Sequence, residues 1–290
     1  MRCGTVATVT NEKLERIKSL LRSLESCVVA YSGGVDSVFL AVVAHQELGR
    51  RALAVIADSP SLPRHELAEA QAIAKGFGFR LEVVLTEEFE DEEYLSNPAT
   101  RCYHCKSALF QKLVPFAKQW GFATVVYGEN ASDSRDYRPG RVAADEFAIR
   151  APLREAGLTK DEIRRLSRAM GLPTAEKPAQ PCLSSRVPYG ERVTLEKLRL
   201  IEAGEAAVRR LGIRDLRVRL HELGQGFLAR VEVPRGEWSQ FVEREFAENV
   251  GPALLKIGFQ YVTLDLLGYR RGSLNETVVP SAKRNVPSSQ

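Results

Sequence analysis

Six residues, SGGVDS at 32–37, bring two glycines, two hydroxyls and a carboxylate to the junction of a short apolar run, CVVAY, and a helix-period segment, VFLAVVAHQEL. Glycine lets the backbone turn tightly and approach a ligand without Cβ interference. Backbone N–H groups at a helix start point outward, and the helix dipole favours an anion there. Ser32 and Ser37 add hydroxyl donors. Asp36 beside a phosphate calls for compensation by Mg²⁺ or a backbone amide. The segment lacks the lysine and the length of the Gly-x-x-x-x-Gly-Lys-Ser/Thr loop. Gly-Gly alone reads equally as a plain strand-to-helix turn; the six residues in their strand–loop–helix context favour a nucleotide phosphate.

Cysteine is the second chemistry-bearing type. The five are Cys3, Cys27, Cys102, Cys105 and Cys182. Cys102 and Cys105 stand in RCYHCK, spaced so that both sulfurs can face one metal or form one redox pair. A dithiol, half of a zinc site and two packing cysteines all remain open. Zinc takes four ligands, and His104 is poorly aimed beside its neighbours. Together with Cys182, three thiolates suit a [4Fe–4S] cluster with one iron left open, whereas four cysteines are usual. Cys182 lies in the proline-stiffened KPAQPCLSSR, where Lys177 and Arg186 could depress its pKa and attract an anion. Cys27, on an apolar run, reads as packing.

The elements that must position these residues alternate. Helix periodicity covers 11–25, the segment from Ser37 to Leu48, 64–75, a stretch ending near Trp120, and Thr159 as N-cap through Met170. Apolar runs at 27–31, 52–57, 81–85 and 123–128 read as strands. This alternation predicts an α/β fold with a parallel sheet covered by helices. The acidic TEEFEDEEY reads as a solvated stretch and ENASDSRDYRPG as a polar loop. After the proline-rich PTAEKPAQPCLSSRVPYG the pattern becomes helix 194–211, strands 215–220 and 227–233, helix 236–248 and strand 259–266. We therefore expect a domain over 1–190, a smaller α/β domain over 191–276 and a disordered tail over 277–290.

The 290 residues carry a net charge of +4, 44% hydrophobic and 27% charged residues, which argues against a dedicated nucleic-acid binder. Apolar runs fall short of the ~20 residues that span a bilayer. Charge arrives by Glu12 and Lys13, so no secretory signal is expected and a cytoplasmic setting is.

SGGVDS resembles the pyrophosphate loop (PP-loop) of the N-type ATP pyrophosphatases. That resemblance implies a Rossmann-like domain that cleaves ATP between the α- and β-phosphates, AMP passing to a carboxylate or carbonyl oxygen. It places Asp58, at the end of ALAVIADSP, near the adenine. SGGVDS, NPATRCYHCK, DSRDYRPGR, KPAQPCLSSRVPYGER and FQYVTLDLLGYRRGSLNE together resemble the LarE family, over residues 12–276. These are ATP-dependent sulfur transferases of nickel-pincer nucleotide biosynthesis, the cofactor of lactate racemase.

The resemblance implies adenylylation of a carboxylate of pyridinium-3,5-biscarboxylate mononucleotide and its conversion to a thiocarboxylate, with ATP, Mg²⁺ and a homo-oligomeric assembly. Cys182 matches the sulfur-bearing cysteine. Members with the extra Cys-x-x-Cys pair resemble cluster enzymes, so Cys102, Cys105 and Cys182 are expected to hold a [4Fe–4S] cluster carrying sulfide from a separate donor. Sacrifice of the Cys182 sulfur, leaving dehydroalanine, is the alternative.

Among the remaining roles, Lys106 is expected at the transferred phosphate, Asp133 at the metal or ATP, and Arg186 at substrate or AMP. Arg217 and Arg219 lie two apart on one strand, so they share a face that suits a phosphate. The resemblance puts the substrate phosphate there and Glu205 and Glu232 near a divalent ion, although HELGQGF is longer than the family's usual turn. A tRNA-thiolating relative is the rival, disfavoured by the modest charge and the GYRRGSLNE motif; a scaffold that keeps only a nucleotide fold is disfavoured by the intact SGGVDS.

Overall fold

The computed structural model describes residues 3–135, 139–210, 212–213, 215–237 and 248–270. It divides into two compact units, the first formed by residues up to Asp91 with Thr100–Gln180, the second by Glu92–Ala99 with the chain from Pro181 onward.

In the first unit four strands, β1 (Cys27–Tyr31), β2 (Ala52–Asp58), β3 (Leu81–Leu85) and β4 (Thr124–Tyr127), form a sheet of order β3-β2-β1-β4. Every pairing in it is parallel. Strand β1 is buried throughout, because its two faces feed two cores. Cys27, Val29 and Tyr31 pack with Ile17 and Leu21 of α1 (Cys3–Ser23), Val38 and Phe39 of α2 (Val35–Leu48), Ala70 and Ile73 of α3 (Arg64–Phe77) and Ile163 of α8 (Lys160–Ala169). Val28 and Ala30 face the other way, toward Phe110 and Leu113 of α5 (Arg101–Gln119) and Ala143 and Ala144 of α6 (Pro139–Glu146). Period-2 alternation thus serves both layers, as a doubly covered parallel sheet requires. Burying a side chain such as Phe39 or Phe110 contributes about 1.5–3 kcal/mol.

Several elements depart from the periodicity. Helix α1 starts at Cys3 rather than near residue 11; no Gly or Pro interrupts residues 5–10. The short helices α4 (Glu92–Leu95) and α7 (Pro152–Glu155) and helix α6 were not expected. Pro139 begins α6, a position where the missing N–H removes no helical bond, so Pro-Gly there opens a helix instead of prolonging a loop.

The second unit carries α9 (Leu195–Arg209), the antiparallel pair β5 (Arg217–Leu223) and β6 (Gly226–Glu232), then α10 (Gly251–Ile257) and β7 (Tyr261–Leu264), which joins β6 in parallel. Gly204 lets α9 lie close: a Cβ there would stand 3.0 Å from Leu254 Cδ2 and 3.3 Å from Val218 Cγ1. Of the helix expected over 236–248, residues 238–247 lie outside the described residues, as does the expected tail at 277–290.

The division between units falls after Gln180 rather than at residue 190, and Glu92–Ala99 joins the second unit. Hydrogen bonds account for this. Asn97, at φ 56°, donates through Nδ2 to the carbonyls of Pro188 at 2.7 Å and Glu191 at 3.0 Å. The Tyr94 hydroxyl meets Ser184 Oγ at 2.7 Å.

Candidate functional site

The phosphate loop follows β1 at the carboxyl edge of the first unit's sheet. Strand order reverses between β1 and β4, the switch point where parallel α/β sheets open a ligand crevice. Gly33 takes φ 72°, and a Cβ there would lie 3.0 Å from the Ala70 Cβ. Gly34 is the N-cap of α2 and supplies no side-chain acceptor, so its first-turn N–H groups have no cap to compete with an anion. Ser37 Oγ donates to Gly34 O at 3.1 Å and accepts from Ser32 N at 3.2 Å, and the two hydroxyls stand 3.1 Å apart. The loop is closed from the β4 side by Gly128. A Cβ on that residue would come within 2.9 Å of Ser37 N and 3.1 Å of Asp36 C.

Asp36 is the loop's charged member. Its Oδ2 accepts from Lys160 Nζ at 2.7 Å, whereas Oδ1 is buried with no hydrogen-bond partner. Burial pushes the Asp36 carboxyl above the usual carboxylate range; Lys160 opposes the shift and the Asp133 charge adds to it. Asp133 is itself held by Asn130, whose backbone N and Nδ2 donate to Oδ2 at 3.3 and 2.9 Å. Beside it Glu129, 4% exposed, accepts from Tyr127 and, at 2.8 Å, from Arg154.

Lys160 escaped the sequence reading. It had a signal: TKDE is a capping box, with Thr159 and Glu162 satisfying each other's backbone N–H. A lysine at the first position of that helix works against the dipole, so another charge must hold it.

Asp58 ends β2 and is bound by Arg64 Nη1 at 2.6 Å. The Lys106 stem lies where a Cβ on Gly140 would meet it at 2.9 Å, and its ammonium stands 5.7 Å from the Phe110 ring centroid. The cation paired with Asp36 is Lys160. Cys102 and Cys105 sit on α5 itself, three apart and so on one face, with Cys102 exposed and Cys105 half-buried. His104 Nδ1 turns to Asp91 Oδ2 at 3.3 Å. Lys177, expected to influence Cys182, is paired with Glu66 at 2.7 Å and Glu69 at 2.9 Å.

The second unit holds the other group of expected residues. Cys182 precedes the 3₁₀ turn Leu183–Arg186 with φ −60° and ψ 158°. Its carbonyl accepts from Ser185 N at 3.0 Å, Ser185 Oγ at 2.7 Å and Arg186 Nη1 at 3.0 Å. Arg186 and Glu205 are both 0% exposed. Glu205 accepts from Arg186 Nε at 2.8 Å, Arg209 Nη2 at 2.9 Å and Val218 N at 3.3 Å. Burial alone would raise the Glu205 carboxyl, but Arg186, with Arg209 and Arg217, brings it below its ordinary range.

Arg219 forms a fork on Glu232 at 2.8 and 3.0 Å and donates its remaining Nη1 to Ser185 O at 2.8 Å. Arg217 lies against the Tyr269 ring, 4.7 Å from its centroid. Arg217 and Arg219 share a face of β5, as expected, but both are buried against protein groups. Glu205 and Glu232, expected beside a divalent ion, instead turn their oxygens to guanidiniums, since a buried carboxylate must be paired.

No family model matches the chain. The uncharacterized protein slr1717 of Synechocystis is 45% identical over 266 residues, covering 92% of this chain and 98% of its own length. The pyridinium-3,5-bisthiocarboxylic acid mononucleotide synthase of Lactiplantibacillus plantarum is 33% identical over 274 residues, 94% of this chain and 97% of its own. The chain belongs to the LarE family. LarE proteins are enzymes of the PP-loop class, and the first unit of this LarE family member has the expected α/β architecture. A wider likeness fits it: the glutamine-hydrolyzing GMP synthase of Chlamydia caviae is 25% identical over 185 residues, 58% of this chain and 36% of its own length. Among the described residues, no helix of this LarE protein is long and apolar enough to cross a membrane.

Proposed function

We propose that the protein is an ATP-dependent sulfur transferase. It adenylylates a carboxylate of pyridinium-3,5-biscarboxylate mononucleotide and replaces the activated oxygen with sulfur. The observation that carries this reading is the near full-length match, over 94% of the chain, to a synthase named for the bisthiocarboxylic product. The cytoplasm is the setting, where thiols stay reduced.

In this reading the N–H groups and hydroxyls of Ser32, Gly33, Gly34 and Ser37 grip the pyrophosphate end of ATP, with Asp58 and Asp133 flanking the nucleotide. Mg²⁺ fits the orphaned, buried Asp36 Oδ1, because magnesium in nucleotide sites commonly takes one or two carboxylates and completes its shell with phosphates and water. When bound, the ion would offset charge on the leaving pyrophosphate. The substrate carboxylate attacks the α-phosphorus, and the α–β bridging bond breaks as pyrophosphate leaves. The Cys182 thiolate then attacks the acyl carbon, and AMP departs with the C–O bonding pair. Loss of the residue-182 Cα proton to a solvent base, with cleavage of Cβ–Sγ and the pair retained on sulfur, gives thiocarboxylate and dehydroalanine.

A [4Fe–4S] cluster on Cys102, Cys105 and Cys182 would carry sulfide instead. Among the described residues no group of three His, Cys, Asp or Glu side chains is gathered to hold a metal, and no step is derived through the cluster. The deciding experiment is mass spectrometry of anaerobically purified protein and substrate after incubation with ATP, Mg²⁺ and sulfide. The expected result is one thiocarboxylate per chain and Cys182 lighter by H₂S. More than one equivalent with iron bound and Cys182 intact would replace this route by the cluster, and no thiocarboxylate at all would overturn the function.

A further inference from the structure

The second unit holds two buried ion pairs, Arg186–Glu205 and Arg219–Glu232. Buried pairs of this kind are weak contributors to stability compared with apolar packing of the same volume. The third guanidinium nitrogen of each arginine reaches one and the same residue. Arg186 Nη1 donates to Ser185 Oγ at 3.0 Å, and Arg219 Nη1 donates to Ser185 O at 2.8 Å. Ser185 in turn gives both of its donors, N and Oγ, to the Cys182 carbonyl, at 3.0 and 2.7 Å. Arg186 Nη1 also reaches the Pro181 carbonyl at 2.5 Å. The backbone on either side of the Cys182 Cα is therefore tied to charges that α9 and β6 fix in place.

We propose that Ser185 is a positioning residue for sulfur transfer: it transmits the rigidity of the two buried Arg–Glu pairs to Cys182. The role rests on the reading of Cys182 as the sulfur carrier. Ser185 acts through the Cys182 carbonyl rather than through the thiol. It sets the direction in which Cys182 presents its Cα–Cβ bond, and a nucleophile held in a near-attack arrangement loses up to about 100-fold in rate when misplaced by roughly 1 Å.

The test uses the full chain and the variants Ser185→Ala and Ser185→Thr, with Arg219→Lys as a second release point should Ser185→Ala not fold. Three quantities are measured: ATP–pyrophosphate exchange, single-turnover thiocarboxylate formation, and the alkylation rate of Cys182 by iodoacetamide without ATP or substrate. Ser185→Ala is expected to leave exchange unchanged, to lower Tm by no more than the loss of one hydrogen bond allows, and to slow thiocarboxylate formation about 10- to 100-fold. Alkylation should quicken about five-fold as one hydrogen bond is lost. Ser185→Thr, which keeps the hydroxyl, should restore all three. Arg219→Lys should quicken substrate-free alkylation of Cys182 in the same sense. Unchanged transfer and alkylation in Ser185→Ala would overturn the proposal. So would an equal fall of exchange and transfer with a lowered Tm, which marks a merely structural role. The alkylation arm needs no substrate, so it still judges the anchor if the protein forms no thiocarboxylate and the functional reading falls.

Discussion

Lys160 Nζ donates to Asp36 Oδ2 at 2.7 Å, while the other oxygen of the same carboxylate, Oδ1, is buried without a hydrogen-bond partner. One half of the loop's carboxylate is thus neutralised by Lys160, and the other half is where the proposed Mg²⁺ would bind. Lys160→Met removes the internal half. ATP–pyrophosphate exchange should fall by about 100- to 1,000-fold, the loss typical of deleting one preorganised donor at a site of developing charge. Lys160→Arg should recover part of it. An exchange rate within two-fold of the parent would remove Lys160 from the machinery.

The pH dependence follows from the direction of the Asp36 shift. Its carboxyl is raised by burial and by Asp133, against the pull of Lys160. Only the ionised form can hold Lys160 or Mg²⁺, so exchange should fail on the acid side at a higher pH than an ordinary carboxylate would give. Lys160→Met should move that acid limb further up. For folding the sign is opposite. A raised native pKa means the native state binds more protons than the unfolded one, so this group's contribution to stability improves as pH falls. A pH–rate profile recorded beside denaturation curves separates the two trends.

Gly128→Ala tests the closeness of β4 to the loop. The added methyl would sit 2.9 Å from Ser37 N, a backbone atom that can move only by moving the loop. We expect a stability cost of about 1–3 kcal/mol and loss of most ATP–pyrophosphate exchange in a protein that still folds. Thermal shift and exchange assays report the two effects.

Glu205→Leu leaves Arg186 buried and unpaired, so unfolding in urea should show a loss of about 3–5 kcal/mol. The double change Arg186→Met with Glu205→Leu should return most of that stability while sulfur transfer stays impaired. Because the Glu205 carboxyl is lowered in the native state, the stability it brings is present above the unfolded pKa and fades as pH drops through the native one. Glu205→Leu should abolish that part of the acid sensitivity.

Thiol labelling distinguishes the cysteines. Cys27 is 0% exposed, and burial pushes its thiol up to about 12. Iodoacetamide at pH 8 should modify Cys102, Cys105 and Cys182 in native protein and reach Cys27 only after denaturation, as peptide mass spectrometry would show. Early modification of Cys27 would contradict its place in the first unit's core.

Legibility in the sequence followed the range of the interaction. The β1–loop–α2 segment was readable because strand period, glycines and helix start are all local, and the four parallel strands fell where apolar runs stand. Helix α6 was missed because Pro139-Gly140 reads as a turn unless the helix after it supplies the reason for Pro at its start. Lys160 lies 124 residues from its partner; its place at a helix start calls for a paired charge, but nothing local identifies Asp36 as that charge. Arg219 and Glu232 were recognised as a charged group but assigned outward, to phosphate and metal. Their fork depends on the register of β5 against β6, which places Arg217 opposite Glu232 and Arg219 diagonal to it. Spacing along a single strand cannot reveal which ionic partner a neighbouring strand brings.

The eight residues Glu92–Ala99 carry a consequence for the order in which the chain matures. They are made well before most of the second unit, flanked by the first unit's segments, yet the Asn97 side chain donates to the carbonyls of Val187, Pro188 and Glu191. Those acceptors lie 90 to 94 residues further along the chain. A chain beginning at Pro181 would lack both Tyr94 and Asn97, and with them the hydrogen bonds they make to Ser184, Pro188 and Glu191 around the cysteine-bearing turn.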